Sequence, residues 1–165
     1  MLKVTILALA LLASHAAAAE DDAFVDLRVL KPEIAYRMAE AALNACRENG
    51  YQVGVMVLDR FGLPQVFLRD RFAGLHVFET SRRKAWTAIS FRTNTTELAE
   101  LTKAGAEMSG IRNLSEALPL GGGLMVLDGD GSLVAGIGVS GAPGGNHDDT
   151  CAQAGIDAIE DDIAF

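Results

Sequence analysis

Apolar residues recur at four-residue spacing behind Pro32, at Ile34, Met38, Ala42 and Cys46, which predicts an amphipathic helix. Pro32 suits its first turn and Asn49-Gly50 its stop. Two β-rich runs follow, Tyr51–Leu58 and Pro64–Arg69, joined by Asp59-Arg60-Phe61-Gly62. That is a hairpin signal. The pattern returns at Gly123–Leu127 and Leu133–Val139, around Asp128-Gly129-Asp130-Gly131. The two units share a phrase, Met-Val-Leu-Asp-x-x-Gly, at Met56–Gly62 and Met125–Gly131.

The middle of the chain reads as helical. From about Thr80 to Phe91, Ala85, Ala88 and Ile89 fall on one face. Asn94, with Glu97 three residues on, predicts a capped helix anchored by Leu98 and Leu101 and stopped near Gly105. Met108–Leu120 has no regular period. A last helix is predicted from about Asp148 to Ile163, with Asp148 and Asp149 at its positive end and Cys151, Ala154, Ala158 and Ile159 inward. The order helix, hairpin, two helices, hairpin, helix predicts a single α+β domain: an antiparallel sheet of two hairpin units with helices packed on it.

The first 19 residues stand apart. Lys3 precedes an apolar run from Val4 to Ala13, and Ala17-Ala18-Ala19 offers a small-residue cleavage pattern. The run is shorter than the roughly 20 apolar residues that span a bilayer, so a cleaved secretory signal accounts for it better than a retained anchor. The expected protein is periplasmic or secreted, with no membrane span after cleavage. Residues 20–30 form an acidic leader, and 31–165 carry the domain.

The 165 residues hold 14 basic and 22 acidic side chains, for a net charge of −8. Loss of residues 1–19 removes Lys3 and makes the balance one unit more negative. This argues against nucleic acid as a partner, since phosphate affinity rests on Lys and Arg. Half the residues are apolar, as in an ordinary folded domain. Cys46 and Cys151 are the two cysteines, and an oxidising compartment favours their pairing over two free buried thiols. A bridge would require the first and last helices to lie side by side.

Several reaction templates fail. The stretch Gly136–Gly145 lacks the Lys-Ser/Thr ending of a phosphate loop, and Asp148 and Asp149 would oppose a phosphate there. Asp128–Gly131 begins like a calcium loop, but Val139 stands where the bidentate Glu belongs. Ser140 lacks a full nucleophile elbow, and no His-Glu-x-x-His occurs. Past the leader, the histidines are His76 and His147. His147 reads as a solvated loop residue. His76 stands in Phe72-Ala-Gly-Leu-His-Val-Phe78 with Arg69, Arg71, Arg82 and Arg83 close in sequence; from composition alone a structural histidine is the simpler reading.

Five phrases together carry a resemblance: Val55-Met-Val-Leu-Asp-Arg-Phe-Gly62, Arg69-Asp70, Ser81-Arg-Arg-Lys-Ala-Trp-Thr-Ala88, Gly136-Ile-Gly-Val-Ser-Gly-Ala-Pro-Gly-Gly145 and Asp148-Asp-Thr-Cys-Ala-Gln-Ala-Gly-Ile-Asp-Ala-Ile159. In this order they resemble the haem-binding or "haem-degrading" GlcG/HbpS-like family over nearly all of residues 31–165. The resemblance implies a profilin-like or sensor-like sheet, assembled as a homo-oligomer. Its members include secreted haem-binding sensory partners, proteins encoded beside glycolate metabolism genes and domains fused to corrinoid enzymes. Ala73-Gly-Leu-His76 resembles a feature of exported members.

Haem is therefore the expected cofactor. It needs an apolar slot, an axial ligand and cations for its propionates. His76 is the candidate metal ligand, Phe72, Phe78, Met108 and Met125 are candidate wall or soft-ligand residues, and Arg82 and Arg83 are candidate propionate partners. Arg60 and Arg69 are equally available cations, and every one of these residues also has a plain reading as core or solvated surface. A small organic acid, held by arginines with His76 as acid or base, is the second reading. A non-catalytic oligomeric interaction module is the third.

Overall fold

The computed structural model describes residues 23–164, so the signal segment 1–19 lies outside the described residues. The elements are α1 (Pro32–Glu48), β1 (Gly54–Asp59), β2 (Pro64–Arg69), α2 (Val77–Phe91), α3 (Thr95–Leu101), a 3-10 segment (Glu107–Asn113), β3 (Gly123–Leu127), β4 (Leu133–Ser140), α4 (Gly145–Asp157) and α5 (Glu160–Ile163). The four strands form one antiparallel sheet in the order β2-β1-β4-β3. Helices cover both faces, as expected of the α+β class.

Alternation along the strands sorts the two layers. Val55, Val57, Ile137 and Val139 point to one face, where they pack with Met38, Ala42, Cys46, Cys151 and Ala152 of α1 and α4. Met56 and Leu58 point to the other and meet Ala85 and Ile89 of α2. The Cys46–Cys151 disulfide joins α1 to α4 across 105 residues of chain, with Cα atoms 5.4 Å apart. The two helices do lie side by side.

The shared phrase is structural. In each hairpin the Asp caps the turn: Asp59 Oδ1 accepts the N–H groups of Phe61 and Leu63, and Asp128 Oδ1 those of Asp130 and Ser132. Gly62 and Gly131 take the positive φ that follows, 84° and 78°. Both hairpins also slip register at the same place, Val57/Leu58 and Val126/Leu127. The sheet is thus one hairpin laid beside a second copy of the same design.

On the α2 face, β4 presents Gly136 and Gly138, with Gly123 of β3 opposite Gly138. A Cβ on Gly138 would collide with the carbonyl oxygen of Ser81, and one on Gly123 with that of Lys84. The helix therefore rests main chain against main chain, and its buried positions there are small, Ser81, Ala85 and Ala88.

Several expectations need correction; Leu101, expected to anchor its helix, and Ala158, expected inward, are both exposed. Helix α2 starts at Val77, three residues before the predicted Thr80, which makes His76 its N-terminal cap residue. Asn94 makes no side-chain cap; its Oδ1 accepts the Met125 N–H at 3.0 Å, while Thr95 Oγ1 accepts the Gly123 N–H at 2.8 Å. These side chains instead accept N–H groups on the outer edge of β3, which would otherwise stand unpaired. The last helix is not continuous. It starts earlier, at Gly145, and breaks at Ala158–Ile159 so that both Ile159 and Ile163 reach the core.

The described part of the leader, up to Lys31, is non-helical and tied down. Arg28 pairs with Asp128 at 3.2 Å, Leu30 is buried, and Gln65 Nε2 donates to the Leu30 carbonyl at 2.9 Å.

Candidate functional site

Helix α2 sets His76, Thr80 and Lys84 at four-residue spacing, which aligns them along one face. The end of β4 brings Ser140 beside them, and Gly141–Gly145 leads into the first turn of α4 with Asp148. Together with Leu120 these residues line a cleft of about 280 Å³. Helix α4 is seated here by two long-range contacts, the disulfide at Cys151 and the pair at Asp148, which lie one turn apart.

Lys84 forms the floor. Its ammonium donates to Asp148 Oδ2 at 2.8 Å and to the Val139 carbonyl at 2.9 Å, with side-chain exposures of 2% for Lys84 and 5% for Asp148. Asp148 Oδ1 accepts the Ala142 N–H at 3.0 Å, so the carboxylate also fixes the glycine-rich loop. Burial pushes the Asp148 carboxyl above its ordinary range, opposed by the Lys84 charge and hydrogen bond and by the Ala142 N–H. Above the floor, Thr80 Oγ1 lies 2.7 Å from Ser140 Oγ and 3.0 Å from the His76 carbonyl.

His76 stands at the mouth, with an exposed ring that folds back over Gly74, where a Cβ would strike it. Neither ring nitrogen has a hydrogen-bond partner among the described residues. Its sequence neighbours include exposed apolar side chains, Leu75 at 93%, Phe72 at 80% and Phe78 at 48%, with the Arg71 guanidinium 5.9 Å from the Phe72 ring. Phe78 also packs edge-on against Phe67, with centroids 4.8 Å apart. His147 is not a free loop residue: it lies in the first turn of α4, its ring tilted against that of Tyr51 with centroids 5.3 Å apart.

Of the sequence candidates, His76 lines the cleft; Phe78 lies in the first turn of α2 and Phe72 ahead of it, neither lining the cleft, and the others lie elsewhere. Arg82 binds Glu79 and Glu116, each at 2.8 Å, and these carboxylates hold its guanidinium firmly protonated. Arg83 donates to the carbonyls of Glu116 and Ala117. Both arginines fasten the segment before β3, and neither lines the cleft. Met125 lies opposite Gly136, whose open face meets Ala85 and Ile89, about 13 Å along the helix from His76. Met108 sits in the 3-10 segment and does not line the cleft.

A larger open groove of about 660 Å³ runs between α3 and α4, and its ionisable groups are Glu97, Asp149 and Asp157. Asp149 is already engaged by Thr96 and by the Gly122 N–H. Among the described residues no cluster of three or more His, Cys, Asp or Glu side chains is arranged to hold a metal ion. The residues that sequence reasoning missed are Lys84, Asp148, Thr80 and Ser140.

The fold is shared with known proteins. A double mutant of HbpS from Streptomyces reticuli is 35% identical with a TM-score of 0.78, covering 89% of this chain and 98% of that one. The PduOC:haem complex is 30% identical with a TM-score of 0.73, covering 79% of this chain and 95% of that one. The corrinoid adenosyltransferase PduO of Salmonella typhimurium is 32% identical over 126 residues, 75% of this chain and 37% of that protein. The chain thus spans little more than a third of the length of that relative. The family model described as haem degrading protein HbpS-like matches residues 30–157, and the chain belongs to that family.

Proposed function

We propose that this chain is an exported haem-binding protein, acting in sequestration, sensing or accessory metabolism, with the His76 imidazole as axial ligand. The observation that carries this reading is the state of His76: an exposed ring with unengaged nitrogens at the mouth of a cleft, with exposed Phe72, Leu75 and Phe78 close to it in sequence. Such a setting offers a nitrogen ligand and an apolar wall together, and these residues fit the group. When bound, haem supplies an iron that accepts a nitrogen ligand and two propionates that seek hydrogen-bond donors. The family and the haem complex of PduOC support the choice of tetrapyrrole.

Export is supported by the signal-like pattern of residues 1–19 and by a disulfide, which persists in oxidising compartments. Assembly of copies around the Phe72, Leu75 and Phe78 patch would shelter apolar area that a single ligand leaves wet. A second reading, a small organic acid as ligand, is favoured by the cleft's volume. At about 280 Å³ it lies below the ~300–1,000 Å³ usual for drug-sized ligands.

Titration of the purified protein with hemin tests the first reading. A saturable Soret shift is expected, and its absence removes haem. His76→Ala should alter that spectrum while leaving the far-ultraviolet circular dichroism unchanged; an unaltered spectrum rejects His76 as the ligand.

A further inference from the structure

An ammonium group has three protons to donate. For Lys84, Val139 O and Asp148 Oδ2 take two, and among the described residues no third acceptor stands within hydrogen-bonding distance. This buried, under-satisfied cation lines the cleft floor. Asp148 has little left to give, since its other oxygen holds the Ala142 N–H.

The hydroxyl pair above adds an adjustable donor. Ser140 can donate to Thr80 Oγ1, 2.7 Å away. When Thr80 donates to Ser140 instead, the Ser140 proton is free to turn into the cleft. Ser140 is 5% exposed, so a polar ligand atom meeting that proton would replace a poorly hydrated contact.

We propose that the floor of this cleft is a carboxylate subsite, in which one ligand carboxylate accepts the third Lys84 proton and the Ser140 hydroxyl proton. The inference rests on the cleft being the ligand site proposed above and assigns its polar end. A monoanion suits the charge: Asp148 already offsets Lys84, so a phosphate dianion would crowd two further charges against a carboxylate. The guanidinium groups of Arg82 and Arg83, fastened to Glu79, Glu116 and Ala117, are replaced in this role by Lys84 and Ser140. The carboxylate has two possible sources, a propionate arm of haem or a free small organic acid.

Calorimetric titration of the full-length protein as exported, with hemin, with hemin dimethyl ester and with sodium propionate, separates these. Hemin should bind about tenfold or more tighter than the ester, the weight of a hydrogen bond to a charged group. Ser140→Ala should weaken hemin more than the ester and bring the two within about threefold. If hemin and ester bind alike, and propionate neither binds nor competes, the subsite is overturned while haem binding stands. If neither tetrapyrrole binds but propionate does, and Ser140→Ala weakens it, the subsite stands with a free acid as its ligand and the haem reading fails. Equal loss of hemin and ester binding in Ser140→Ala would assign Ser140 to packing and overturn its role here. Lys84→Met serves only as a second variant, because it also disturbs the fold.

Discussion

Lys84 and Asp148 are 64 residues apart in sequence, and their charged atoms meet at 2.8 Å with both side chains withdrawn from water. The pair fastens α2 to the first turn of α4 directly beneath the cleft. Taking one charge away strands the other, which is the costly change for a buried pair. Lys84→Met should destabilise the protein by about 3–5 kcal/mol. Lys84→Met with Asp148→Leu should cost less than the two single changes added, since neither charge is then left alone. Urea denaturation of the four proteins measures the coupling, and strict additivity would show the pair to be unimportant.

The same pair gives a pH dependence with a definite sign. Burial raises the Asp148 carboxyl above its ordinary 3.8, so the folded protein holds that proton to higher pH than the unfolded chain does. The stability this group contributes is fullest at low pH and falls as pH rises from near 3.8 through the folded value, then levels. Asp148→Asn should remove that slope, and Lys84→Met should extend it to higher pH. Urea midpoints between about pH 4 and 8 read both effects.

The Cys46–Cys151 bridge closes a loop of more than 100 residues, the length at which loop-closure entropy is large. Replacing both cysteines with serine should cost about 2–5 kcal/mol. Denaturation of the wild-type protein with and without reductant should reproduce that difference, and an unchanged midpoint would mean the bond is absent in solution.

Close approach of α2 to the sheet makes a graded prediction at glycines. Gly138→Ala drives a methyl group into the Ser81 carbonyl and should cost about 3 kcal/mol or more. Gly131→Ala meets open space but needs φ near 78°, for about 1–2 kcal/mol. Gly110→Ala meets neither obstacle and should be nearly neutral. Thermal unfolding of the three variants sets the order.

The hairpins were legible because each is written in local terms: period-two alternation, a capping Asp and a glycine four or fewer residues away. The first helix was legible for the same reason. The disulfide was legible as a pairing because only two cysteines exist. The cleft was not, because its parts are joined only by topology. Lys84 follows Arg82 and Arg83 and reads as part of a solvated basic run, and Asp148 reads as charge at a helix start. One signal was present: Lys84 lies three residues past Ser81 and four before Ala88, on the small-residue stripe that the helix buries. A cation on an apolar stripe demands a partner, though nothing local says which. Asn94 misled for a related reason, since a strand edge 31 residues away outbid its own helix.

Helix α2 meets Gly138 and Gly123 main chain to main chain, through the carbonyls of Ser81 and Lys84. The height of Thr80 and Lys84 above the strand that carries Ser140 is therefore set by peptide geometry, which every residue shares. On the opposite face, where valines and isoleucines meet α1 and α4, volume can be traded between neighbours. Remodelling of the α1 side of that layer would leave the height of Thr80 and Lys84 above Ser140 unchanged. The molecule in effect has one layer that keeps the measure and another that is free to drift.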